Sequence, residues 1–172
     1  MFSSLRLRVF GGLATLAAVM PMAPARAGII VLNQVDSNGY RFVNFDGPTP
    51  NTAGTTINGI SNTGVVVGFT TPDNAIFNNF TANPLTSTNS TAVNVNNSTT
   101  AMANGINSAG TIVGSDGNNN AFTKTGNTVS TFIPNNGVSA TAFGINDNGA
   151  VSGQYTTLAD KTPGFLLSNN VL

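Results

Sequence analysis

Gly144-Ile145-Asn146-Asp147-Asn148-Gly149-Ala150-Val151-Ser152-Gly153 is the stretch whose pattern decides the fold. It recurs as Gly59-Ile60-Ser61-Asn62-Thr63-Gly64-Val65-Val66-Val67-Gly68 and as Gly105-Ile106-Asn107-Ser108-Ala109-Gly110-Thr111-Ile112-Val113-Gly114. The shared frame is Gly-Ile-[Asn/Ser]-x-x-Gly-x-[Val/Ile]-x-Gly. Asn-x-x-Gly and Asn-Gly place residues that tolerate positive φ where a tight hairpin turn needs them. The second half alternates with period two, as a half-buried strand does. Each copy therefore predicts strand, turn, strand. The final glycine marks a β-bulge or a close backbone approach between neighbouring repeats.

Working outward, the central glycines lie 46 residues apart from Gly64 to Gly110 and 39 apart from Gly110 to Gly149. Periods near 40–50 belong to solenoids and propellers. After each frame comes a short strand ending in Phe, at Ala75-Ile76-Phe77, Asn120-Ala121-Phe122 and Pro163-Gly164-Phe165. A turn such as Lys124-Thr125-Gly126-Asn127 and another strand, Thr128–Ile133, precede the next Gly-Ile strand. The expected unit has four short strands, and the units span about 40–81, 92–124 and 128–168. Ile29–Asn33 reads as an additional strand, joined to Tyr40 through Asp36-Ser37-Asn38-Gly39, that pairs with the last strands and closes the structure. Asn169-Asn170 is a turn, and Val171-Leu172 begins a further strand. Pro84–Asn97 is the longest loop-like insertion and accounts for the longer first period. Phe45, Phe77, Phe80, Phe122, Phe132, Phe143 and Phe165 fit core strand positions. The expected fold class is all-β, about three four-stranded repeats, β-propeller-like and small or incomplete. The alternatives are an open β-arc and a three-fold β-prism-like arrangement.

Residues 1–27 read as a secretory signal peptide: a basic start at Arg6 and Arg8, a short apolar run from Val9 to Met20, and Ala25-Arg26-Ala27 before the cut. The run is too short for a bilayer, which takes about 20 residues. Residues 28–172 form the single expected domain. They hold three cations (Arg41, Lys124, Lys161) against six anions (Asp36, Asp46, Asp73, Asp116, Asp147, Asp160), a balance of 3 − 6 = −3. No basic patch is available to neutralise phosphates, which argues against nucleic acid. No amphipathic basic helix points to a membrane surface. With no Cys in the chain, the fold has no disulfides and depends on burial and strand pairing.

The frame followed by a small-residue-Phe strand resembles the bacterial extracellular HAF-repeat family over roughly residues 40–170. The His that names that repeat is replaced by Ala75, Asn120 and Pro163. The resemblance implies a secreted or cell-surface location and tandem β-repeats, and no catalytic activity.

The residue inventory restricts chemistry. Without His, Cys or Glu there is no triad, thiol nucleophile or imidazole base, and no His/Cys metal site. Hydrolysis of glycosides by two Asp carboxylates is the enzymatic option left, and the Asp residues lie mostly in turn-like contexts. Asp116-Gly117-Asn118-Asn119-Asn120 echoes the start of a calcium loop, but Ala121 stands where its glycine belongs and Asn127 where its Glu belongs. Asp36-Ser37-Asn38-Gly39 and Asp147-Asn148-Gly149 are shorter echoes, and plain turns are the expectation. A sugar site usually has an aromatic platform, and only Tyr40 and Tyr155 are present besides Phe. The expected function is a structural or interaction role outside the cell, with self-association through uncharged Asn/Thr-rich edges. The alternative is a glycan-binding, lectin-like module. No catalytic, cofactor or metal residue is expected.

Overall fold

The computed structural model describes residues 30–35, 37–46, 54–72, 75–87 and 89–168. The predicted leader and Val171-Leu172 lie outside them. The described residues form strands, turns and bends, with no helix.

β1 (Ile30–Val35) and β2 (Arg41–Asp46) make an antiparallel hairpin of their own. Three antiparallel meanders follow, none closed into a barrel. The first joins β3 (Gly54–Ile60), β4 (Val66–Thr71), β5 (Asn78–Ala82) and β6 (Ser90–Ala92) in chain order. The second joins β7 (Met102–Ile106), β8 (Ile112–Ser115), β9 (Ala121–Thr125) and β10 (Thr128–Phe132). The third joins β11 (Gly137–Ile145), β12 (Val151–Thr157) and β13 (Gly164–Leu167).

The repeated frame makes the first hairpin of each meander. Gly64, Gly110 and Gly149 have φ of 78°, 80° and 81°, and each donates its N–H to the carbonyl three residues back, at 3.0 Å. The Asn or Ser of the frame closes the loop with its side chain. Ser61 Oγ accepts from Val65 N–H at 3.1 Å, Asn107 Oδ1 from Thr111 N–H at 2.9 Å and Asn146 Oδ1 from Ala150 N–H at 2.9 Å. This is why the frame takes a short side chain with an acceptor oxygen there.

Each first strand carries a bulge at its glycine, between Ile57 and Gly59, Ala103 and Gly105, and Ala142 and Gly144. The last glycine of the frame faces this bulge within the same hairpin. A Cβ at Gly68, Gly114 or Gly153 would strike the carbonyl of Thr56, Met102 or Thr141. Close approach between sheets occurs instead at the first glycine of the frame. A Cβ on Gly59 would lie 2.9 Å from Asn104 O and 3.0 Å from Gly105 Cα, and one on Gly105 would lie 3.0 Å from Phe143 O.

Burial follows from this stacking. Val67, Val93, Val95, Ala101, Ala103, Ile106, Ile112 and Phe122 form one cluster spanning the first two meanders. Val113, Ala121, Ala140, Ala142 and Val151 form the next, spanning the second and third. Phe80 and Phe122 are fully buried. Each stands opposite the frame's last glycine, as Phe165 does in the third meander: Gly68 faces Phe80, Gly114 faces Phe122 and Gly153 faces Phe165.

Four expectations are corrected. Sheets and sequence units differ in phase by one strand: β6 pairs with β5, and β10 with β9, so each meander opens on the Gly-Ile strand. The cause is the tight turn at Gly126-Asn127, which puts Thr128 opposite Thr125 and leaves β10 no partner nearer than β9. The additional N-terminal strand pairs with β2, and no pairing with the last strands occurs among the described residues. Phe80, not Phe77, is the counterpart of Phe122, and Phe143 is 50% exposed at the third bulge. Within 84–97, Val93 and Val95 are buried core, and β6 forms part of a sheet.

Candidate functional site

The three turns occupy equivalent positions in their meanders, and their second residues (Asn62, Ser108 and Asp147) converge. The Asp147 carboxylate accepts from Ser108 N–H at 2.8 Å, Ser108 Oγ–H at 3.0 Å and Asn62 Nδ2–H at 2.7 Å. One side chain of the third meander thus ties together turns of the second and the first. These bonds hold the Asp147 carboxyl below its ordinary value. The Ser108 backbone N–H contributes most, then the Asn62 amide and the Ser108 hydroxyl. Beside them Asn107 donates from Nδ2 to Asn146 O at 3.2 Å.

A cavity of about 240 Å³ lies among these turns. Its surface is mostly polar, with Asn62, Asn107 and Asp147 among its lining, and Ile60, Ile106 and Ile145 make the smaller apolar part. Ile60 is 66% exposed and Ile106 buried. The arrangement offers amide donors, carbonyl and carboxylate acceptors and an aliphatic surface. Asp147 is the single carboxylate in its lining, and no group of three or more His, Cys, Asp or Glu comes together among the described residues.

The bulges build the junctions that bring the turns together. Asn58 and Asn104 are the extra residues at the first two bulges. Asn58 donates from Nδ2 to Ala103 O at 3.0 Å, and Asn104 from Nδ2 to Ala142 O at 2.9 Å. The same bond is made twice, from each meander to the next. Buried Asn79 acts similarly from β5: Nδ2 donates to Ala101 O and Oδ1 accepts from Ala103 N–H, both at 2.8 Å. An amide side chain here copies the donor-acceptor pair of a strand backbone.

The remaining sequence candidates separate. Asp116 spends its carboxylate on its own loop, accepting from Asn118 N–H at 2.7 Å, Asn120 N–H at 3.0 Å and Asn120 Nδ2 at 2.8 Å. The calcium-like stretch is thus a turn closed by its first residue. Asp160 sits in a turn at φ 53°. Asp36 and Asp73 lie outside the described residues. Tyr40 is 68% exposed at the start of β2, whereas Tyr155 packs half-buried against the third meander's core. The two tyrosines belong to different sheets.

Sequence reasoning missed the roles of Asp147 and Asn79. For Asp147 a signal existed: aligning the three frames puts Asn62, Ser108 and Asp147 in one column. Among the described residues no helix is long and apolar enough to cross a membrane. No family model matches the chain, and neither curated proteins nor solved structures yield a match.

Proposed function

We propose that this chain is a secreted, non-catalytic repeat protein that acts outside the cell through interaction and assembly, as its resemblance to extracellular HAF-repeat proteins implies. The reading takes the three meanders as successive blades of a small or incomplete propeller-like stack. One observation carries it: the Asn58–Ala103 and Asn104–Ala142 bonds are the same contact made twice. A unit that docks onto the next through a repeated contact is built to be extended. The carboxylates whose partners are described serve turns and junctions, which supports a role without catalysis. The test is the molar mass of the exported chain by size exclusion with light scattering, with and without calcium. Defined oligomers or fibres support assembly, and a monomer at all concentrations overturns it.

The cavity among the turns favours a second reading, a glycan-binding module. Its mostly polar surface of Asn and Asp side chains suits the hydroxyls of a small saccharide. A glycan array distinguishes the two: saturable binding that Asp147→Ala abolishes supports the second.

A further inference from the structure

We propose that a cleft beside Phe77, in the first meander, binds a neutral saccharide. The site is separate from the cavity among the turns and does not rest on a ligand there. Two chain segments enclose it: residues 77–79 at the start of β5, and residues 92–99 leaving β6. Two backbone bonds tie them together. Val93 N–H donates to Asn79 O at 2.9 Å, and Phe77 N–H donates to Thr99 O at 2.8 Å. Between those bonds the first segment holds Asn78 alone, and the second holds residues 94–98. The surplus backbone cannot pair residue for residue, and a cleft of about 290 Å³ opens beside it. The next junction has no such surplus: β10 passes to β11 through residues 133–136, whereas β6 passes to β7 through residues 93–101. Loops carried on a rigid scaffold are where binding residues concentrate.

The loop is held in one shape. Asn97 N–H donates to Asn94 Oδ1, and Asn94 Nδ2 donates back to Asn97 Oδ1, both at 2.7 Å. Ser98 N–H donates to Val95 O at 2.9 Å, and the Val95 side chain is anchored in the core. Asn96 and Asn97 are both left-handed, with φ of 50° and 58°. Glycine takes that backbone without steric cost, so a plain turn does not require an amide at Asn97. What asparagine adds is a paired amide at the cleft. A loop already fixed in shape binds with a smaller ordering cost.

The lining decides the ligand class. Its surface is mostly apolar, with Phe77, Ala92 and Val93 among it, and Asn78, Asn94 and Asn97 bring amides. No Asp, Glu, Lys or Arg lines it, so nothing there balances the charge of an ionised ligand. Phe77 is half-buried, and its ring is set edge-to-face against Phe69, with centroids 4.9 Å apart and planes at 72°. The negative π face of an aromatic ring attracts the polarised C–H face of a sugar. The Asn94–Asn97 pair uses one Nδ2 hydrogen of Asn94 and none of Asn97, and exposed Asn78 stands between the two tied ends. Each amide sets a donor beside an acceptor, which neighbouring sugar hydroxyls, themselves donors and acceptors, can match. The volume lies at the small end of ligand cavities, about 300 Å³, and suits a single sugar unit.

The test is amide NMR on the isotope-labelled full chain. The neutral probes are methyl glucoside, methyl galactoside, methyl mannoside and methyl N-acetylglucosaminide, with glucuronate as the charged one. At least one neutral probe is expected to give saturable shifts at Asn78, Asn94 and Asn97, and glucuronate weaker ones or none. Phe77→Leu keeps apolar volume against Phe69 and removes the aromatic face, and it should weaken this binding about five- to tenfold. Asn97→Gly keeps the left-handed turn and removes the amide, and it should weaken binding about three- to tenfold in a chain that still folds. No shift at the cleft with any neutral probe overturns the inference. Shifts confined to Asn62, Ser108 and Asp147 overturn it too, while leaving the glycan reading of the turn cavity standing. Binding at the cleft that both variants leave unchanged, equal binding of glucuronate, or shifts produced by an uncharged peptide and by no glycoside overturn the saccharide assignment.

Discussion

Gly59 lies against Gly105: a Cβ on the first would come within 3.0 Å of the second's Cα and 2.9 Å from Asn104 O. Gly105 stands in the same relation to the third meander, with Phe143 O at 3.0 Å and Gly144 Cα at 3.2 Å from its virtual Cβ. Backbone atoms of two sheets meet there, and neither can swing aside. Gly105→Ala therefore forces the second and third meanders apart and is expected to cost about 1–3 kcal/mol, as overpacking does. At Gly144 the virtual Cβ meets only Ser152 Oγ, at 3.2 Å, which a rotamer change relieves. Gly144→Ala is expected to stay within about 0.5 kcal/mol of the unmodified chain. Urea unfolding of both variants checks the order, and equal losses would refute the stacking account.

Asp147 gives the molecule an acid-sensitive tie. Its folded pKa lies below the ordinary 3.8, through the Ser108 backbone N–H first and then Asn62 and the Ser108 hydroxyl. A depressed carboxyl contributes stability that is fully present above the unfolded value and is lost as pH falls through the folded one. Asp147→Asn should therefore lower Tm at neutral pH, with the gap to the unmodified chain narrowing below about pH 4. A gap that stays constant down to pH 2.5 would show that the carboxylate's charge is irrelevant.

Asn79 is only 7% exposed, and its amide satisfies Ala101 O and Ala103 N–H, both on fully buried residues. Removing it leaves a buried donor and a buried acceptor without partners, each costing about 1–3 kcal/mol. Asn79→Ala is expected to destabilise by at least about 2 kcal/mol. Asn79→Asp keeps an acceptor for Ala103 N–H and loses the donor to Ala101 O, so it should not restore stability. Denaturant titration of the two variants tests this, and a neutral Asn79→Ala would mean that water replaces the amide.

What could be read in advance follows the range of the physics. The frame's turns were legible because φ > 0 glycines and an acceptor side chain at a fixed offset act within five residues. The final glycine of the frame was expected to mark a bulge or an approach between repeats, but it lies opposite the bulge, and both features fall at the first glycine, where φ is not positive and no local signal marks them. Sheet phase was not, because a periodic sequence defines an interval and not where each sheet starts. The Gly126-Asn127 turn held that information. The junctions were illegible at Asn58, Asn104 and Asn79, since an Asn in a strand looks the same whether it meets solvent or the backbone of another sheet. Phe143 misled because apolar character predicts burial, whereas among the described residues no further sheet covers the third bulge.

Gly144 and Phe143 provide a further test of the assembly reading. Gly59 and Gly105 each face the backbone of the following meander's first strand. If the first meander of a second copy stacks on the third meander as the third stacks on the second, Gly144 of the first copy faces Asn58 and Gly59 of the second in the same way. A methyl group there clashes only in the assembly. Gly144→Ala should then shift the molar mass toward one chain while leaving the unfolding midpoint of the dilute protein unchanged. Phe143→Lys, placing charge at the same junction, should act in the same direction, because this side chain is already half exposed within one chain. Size exclusion with light scattering across a concentration series reads both effects. Variants that assemble as well as the unmodified chain would place the contact elsewhere.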